Sequence, residues 1–93
     1  MVRLRGDLDA RNAEATGRRL VRLVDAGTDV LEIDLAGVKH LSPDGCAALF
    51  MAFRAARAHG TRLVITHAND RARSVLRRIG ITRAPVARAD DGA

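Results

Sequence analysis

Apolar and polar residues share out by parity along three short stretches of the chain. Val2 and Leu4, then Leu31, Ile33 and Leu35, then Leu63 and Ile65 point one way. Arg3 and Arg5, Glu32 and Asp34, and Arg62 and Thr66 point the other. That period of two predicts half-buried strands near residues 2–5, 30–35 and 62–66. Between them the spacing becomes helical. Asp9 is placed to cap a helix running to about Ala26, with Ala13, Leu20 and Val24 inward and Gly27 closing it. Cys46, Leu49, Phe50 and Phe53 recur at i, i+3, i+4 and i+7, the stripe of a core-facing helix over about residues 43–58. Asn69 or Asp70 caps a third helix whose stripe is Ala72, Val75, Leu76 and Ile79, and Gly80-Ile81 reads as its stop. Gly17, inside the first helix, costs about 1 kcal/mol relative to alanine.

A sheet covered on both faces would carry continuous apolar runs. The parity seen here predicts three helices on one face of the sheet. The other face is wet, with opposite charges that can pair across strands. Strand–helix–strand units crossing right-handedly give a parallel core. The expected class is therefore α/β, a small mixed or parallel four-stranded sheet with three helices packed on one face. Residues 1–83 form the domain, and 84–93 a polar, frayed tail with an edge strand near 84–87.

The turn between the second strand and second helix has the clearest local grammar. Ser42 can cap the helix through its hydroxyl, Pro43 fits the first helical position, and Asp44 sits at the positive end of the helix dipole. Binding sites in α/β sheets collect at such strand ends. A capped terminus with no partner explains the same residues.

Four segments in order resemble a STAS domain: Gly6-Asp7-Leu8-Asp9-Ala10, Leu31-Glu32-Ile33-Asp34-Leu35, Leu41-Ser42-Pro43-Asp44-Gly45 and Gly60-Thr61-Arg62-Leu63-Val64-Ile65. The resemblance covers roughly residues 2–83. The family includes the bacterial anti-sigma factor antagonists, which typically read Asp-Ser-Ser-Gly or Asp-Ser-Thr-Gly at the central turn. There an anti-sigma kinase phosphorylates the first hydroxyl residue after the Asp. Anchoring on Gly45 puts Ser42 at the family's Asp, Pro43 at the phosphoacceptor and Asp44 at the second hydroxyl. Proline has no hydroxyl, so the resemblance implies the fold and docking surface with the phospho-switch lost. Ser42 remains as a displaced phosphoacceptor, and Asp44 as a fixed negative charge in place of a switchable one.

In the family this turn and the helix after it dock onto the anti-sigma partner. That implies partner-binding roles for Ser42, Pro43, Asp44 and Gly45, and for Ala47, Ala48 and Met51 on the helix. Ala47, Ala48, Met51 and Ala55 read as its outward positions, a small smooth strip that Ala-rich composition explains equally well. Asp9 matches the acidic residue of the family's Gly-x-Leu-Asp segment near that loop, although capping also accounts for it. Family members usually carry one more strand before this segment. The chain begins too late for it, which implies an exposed edge strand and a homodimer through it.

Composition narrows the alternatives. Ninety-three residues suffice for one modest core. With no Trp or Tyr and two Phe, that core must be aliphatic and Ala-rich. No apolar run reaches the roughly 18 residues of a membrane span, and the N-terminus lacks the apolar stretch of a signal peptide. The single Cys46 fits a reducing cytoplasm. Net charge is +5, but it comes from 15 Arg and one Lys spread along the chain, a skew that a GC-rich coding sequence produces without selection for nucleic acid.

Cys46 starts the apolar stripe, so a buried, inert thiol outweighs an activated one. His40, His59 and His67 lack metal-ligand spacing. No nucleophile–base pair, phosphate-cradling glycine loop or catalytic carboxylate pair stands out, so no enzyme activity, cofactor, metal or small-molecule substrate is expected. The leading reading is a cytoplasmic interaction module, similar to anti-sigma factor antagonists, that binds a kinase-type anti-sigma factor and frees a sigma factor. The alternative is a STAS subunit or scaffold bracing the ATPase of an ABC-type lipid transporter. A basic nucleic-acid-binding module comes third.

Overall fold

Each stretch of parity-sorted residues is a strand. The computed structural model describes residues 1–78 and 86–87. In order these form β1 (Val2–Leu8), α1 (Ala13–Asp25), β2 (Val30–Leu41), α2 (Cys46–His59), β3 (Arg62–Thr66), α3 (Asp70–Arg78) and β4 (Val86–Ala87). The result is an α/β domain with three helices around the parallel sheet β1-β2-β3. The two-residue β4 lies beside Ile65 and Thr66 on the far side of β3. Ile79, the expected helix stop at Gly80-Ile81 and the remaining tail lie outside the described residues.

The buried parity of the strands meets the buried side chains of all three helices in one cluster. It contains Val2, Leu4, Leu31, Ile33, Leu35, Leu63 and Ile65 from the sheet, Leu20 and Val24 from α1, Leu49 and Ala52 from α2, and Ala72 and Leu76 from α3. The other face of the sheet is polar and cross-linked. Arg3 Nε donates to Asp34 Oδ2 at 3.1 Å between β1 and β2, and Thr66 Oγ1 donates to Glu32 Oε2 at 2.8 Å between β3 and β2.

β2 runs six residues past the expected Leu35, to Leu41. Its first half pairs with β3 and its second half with β1, whose register shifts between Arg3 and Arg5 and again between Gly6 and Asp7. Gly6 supports this with φ +72°, and Gly37 lets the β1 backbone come close, since a Cβ there would lie 2.9 Å from the Leu4 carbonyl oxygen. The Ala36-Gly37 pair reads locally as a strand end, yet the bulged partner strand carries the ladder through it.

Three helix boundaries follow local signals. Gly27 (φ +87°) and Gly60 (φ +69°) close α1 and α2 in the left-handed conformation. Asn69 Oδ1 accepts the Ala72 N–H at 2.8 Å and so starts α3. Asp9 caps a lead-in turn and not the regular helix: its Oδ1 accepts the Arg11 N–H at 2.9 Å, its carbonyl accepts from Asn12 and Ala13, and α1 begins at Ala13.

Candidate functional site

The turn from β2 into α2 is built on the end of β1. The Ser42 N–H donates to the Leu8 carbonyl at 3.0 Å. The Ser42 hydroxyl accepts the Gly45 N–H at 3.0 Å, which closes a turn ahead of the helix and does not cap the helix as expected. Instead α2 begins at Cys46, after Gly45, with no side-chain cap. Pro43 and Asp44 lie in the turn, and the Ser42 and Pro43 carbonyls both accept the Cys46 N–H. Gly45 is buried against the Leu8–Asp9 backbone so closely that a Cβ there would collide with the Leu8 carbonyl. Asp9 is thereby brought beside the turn. Its carboxylate is engaged by Arg11 Nη2 at 2.9 Å, and this hydrogen bond, above all, holds its pKa below the usual carboxylate range. Pro43 and Asp44 are exposed at the tip and Ser42 is half-buried.

The helix that follows is rotated from its expected placement. Ala48 is fully buried and Met51 half-buried, whereas Phe50 is 40% exposed. Ala48 therefore offers no side chain to a visitor, and Phe50 is not part of the core stripe. The cause is α1. It packs along α2 with Gly17 at the contact, where a Cβ would meet the Met51 sulfur and lie 3.3 Å from the Ala48 Cα. The helix is thus covered on two sides, by α1 and by the sheet, and its buried arc takes in Ala48, Ala52 and Ala56 as well as Cys46 and Leu49. Half-buried Met51 and Ala55 edge that arc. The open positions nearest the turn are Ala47, Phe50 and Arg54, at i, i+3 and i+7, in line with Pro43 and Asp44. Of the expected partner-binding residues, Pro43, Asp44 and Ala47 stand together on the surface. Asp9, Ser42 and Met51 border it, and Gly45 and Ala48 are internal packing positions.

The family model described as Mlab, STAS domain (STAS_2) matches residues 1–87. The chain belongs to the STAS domain family. Its fold also matches the structure of the anti-sigma factor antagonist SpoIIAA in its unphosphorylated form, with a TM-score of 0.68 at 14% identity, over 90% of this chain and 74% of that one. No curated protein sequence matches it.

Elsewhere in this STAS domain, three groups among the described residues have distinctive surroundings. Cys46 lies fully buried, and burial pushes its thiol up to about 11, so the helix dipole does not activate it. Asp34 is 2% exposed in mid-β2, where pairing with β3 ends and pairing with β1 continues. It accepts from the Ala36 N–H at 2.8 Å and from Arg3, and faces His67 Nδ1 at 3.2 Å. These contacts, the Ala36 hydrogen bond first, hold its carboxyl below its ordinary pKa despite burial. His67 adopts a left-handed φ of 59° to reach it. His59 pairs with Asp25 at 2.8 Å across the ends of α1 and α2. Sequence reasoning missed both Phe50 and the Asp34–His67 contact. Phe50 was hidden because an apolar residue at a stripe position reads as core. The Asp34 contact joins the middle of β2 to the residue after β3, which no local pattern relates.

Proposed function

We propose that this STAS domain is a non-enzymatic docking module that presents Pro43, Asp44, Ala47 and Phe50 to an ATP-binding partner protein without a phospho-switch. The observation that carries the reading is the exposed row running from the turn tip along α2, with a phenylalanine left in water beside it. Aromatic anchors of this kind concentrate binding energy at interfaces. Pro43 supplies no acceptor hydroxyl, and the Ser42 hydroxyl is occupied as the cap of the turn. Asp44 gives the tip a constant negative charge.

The partner in the first reading is a kinase-type anti-sigma factor, whose capture frees a sigma factor; likeness of fold to the antagonist SpoIIAA supports it. The second reading is a subunit bracing the ATPase of an ABC-type lipid transporter. A brace needs a fixed surface and no switchable hydroxyl, which suits Pro43, and the matching family model carries the Mlab description. Affinity capture from the source lysate separates the two by the class of ATP-binding protein retained by the wild type and lost by Phe50→Asp. Incubation with the captured kinase and ATP, followed by intact-mass measurement, tests the constitutive state. The protein is expected unmodified, Pro43→Ser is the positive control, and a single phosphate on Ser42 would overturn the unswitched reading.

A further inference from the structure

Next to the Ser42 turn, where the end of β2 approaches α3, a groove of about 430 Å³ opens to solvent. Its cations come from both elements: Lys39 and, when protonated, His40 from the strand, and Arg71 and Arg78 from the helix. Half-buried Leu41 and Val75 form an apolar wall between them. Among the described residues no carboxylate lines it. The arrangement is built into α3, since Arg71, Val75 and Arg78 at i, i+4 and i+7 lie along one side of the helix while Ala72 and Leu76 enter the core. Arg73, off this side, faces Asp70 instead at 3.9 Å.

Size and lining decide what such a groove takes. A tetrahedral oxyanion occupies the space of a few waters, each about 30 Å³, so it would leave most of the volume empty and gain nothing from Leu41 and Val75. A short peptide with an apolar residue between carboxylates uses both features. Its apolar side chain covers the wall, and its carboxylates meet the planar guanidinium groups that bind them in two-point fashion. We propose that this groove binds an acidic, apolar-centred peptide segment of a partner protein. The proposal is independent of the α2 surface and stands if that surface proves unused.

The test uses a fluorescein-labelled five-residue peptide, Glu-Asp-Leu-Glu-Asp, titrated with the intact protein and followed by anisotropy, with amide NMR shifts to locate it. Expected are shifts at 39–42 and 71–78, and at least tenfold weaker binding for the Arg71→Gln/Arg78→Gln double variant. Arg19→Gln/Arg22→Gln on α1, which removes the same charge elsewhere, should leave binding unchanged. Lys39→Gln on the strand provides an independent variant should α3 lose its fold, and is expected to weaken binding severalfold. Replacing the central leucine of the peptide by serine should also weaken it. Equal competition by inorganic phosphate at matched ionic strength, tighter binding of a single-stranded oligonucleotide, or shifts scattered over the other basic surfaces would each overturn the assignment.

Discussion

Gly45 shows how a position singled out for recognition can serve packing. Its missing Cβ lets the turn rest on the Leu8–Asp9 backbone, and that backbone cannot move aside without disturbing the Ser42–Leu8 hydrogen bond. Gly45→Ala is therefore expected to cost about 1–3 kcal/mol, the range for an overpacked interior, read as a lower urea midpoint. Unchanged stability would mean that the turn has room to shift. Asp34 is the buried carboxylate that contributes to the pH dependence. Its folded pKa is depressed, chiefly by the Ala36 N–H with help from Arg3 and His67. Its contribution is thus present above the ordinary carboxylate pKa of about 4 and is lost as pH falls through the lower folded value. Asp34→Asn should lose about 1–3 kcal/mol at neutral pH and flatten the acid limb of a stability–pH curve. A parallel, undisplaced acid limb in the variant would assign that limb to other carboxylates.

At the scale of elements, α2 separates what sequence can specify from what neighbours decide. The three main strands were legible because a period of two admits a single buried face, and the helix ends because Gly27, Gly60 and Asn69 carry their own local geometry. The orientation of α2 was not. Cys46, Leu49, Phe50, Met51 and Phe53 surround the helix with apolar groups, and the alanines between them suit any environment. Contact with α1 through Gly17 selects which arc is buried. The turn was legible as a Ser42-braced lead into a helix, although the helix starts at Cys46 and not at Pro43, whereas the docking row depends on that selection. Two adjacent substitutions test it. Met51→Glu places a charge in the α1–α2 seam and should lower stability by about 1–3 kcal/mol, a fall in Tm of some 4–8 °C per kcal/mol for a domain this size. Phe50→Asp should leave Tm nearly unchanged while weakening the captured complex at least tenfold. The reverse pattern would return Phe50 to the core and Met51 to the surface.

Over the whole molecule, the sheet order leaves β1 as an outer strand, with the second edge of this seven-residue strand unpaired among the described residues. Such an edge invites a second copy. Its side chains oppose that invitation. Arg3, Arg5 and Asp7 project from the strand, and a groove of about 370 Å³ along it is also lined by Arg19, so three arginines outnumber the one carboxylate. Two copies related by a twofold axis would pair antiparallel across this edge and bring the arginines of each toward those of the other. Like charges facing one another in a ladder are destabilising, and their repulsion reaches about 10 Å at 0.1 M salt but about 3 Å at 1 M. Sedimentation velocity should therefore find a monomer at low salt and a growing dimer fraction at high salt. Arg5→Thr/Arg19→Thr should bring that dimer to lower salt. A dimer already formed at low salt, and indifferent to both substitutions, would place the self-contact away from β1.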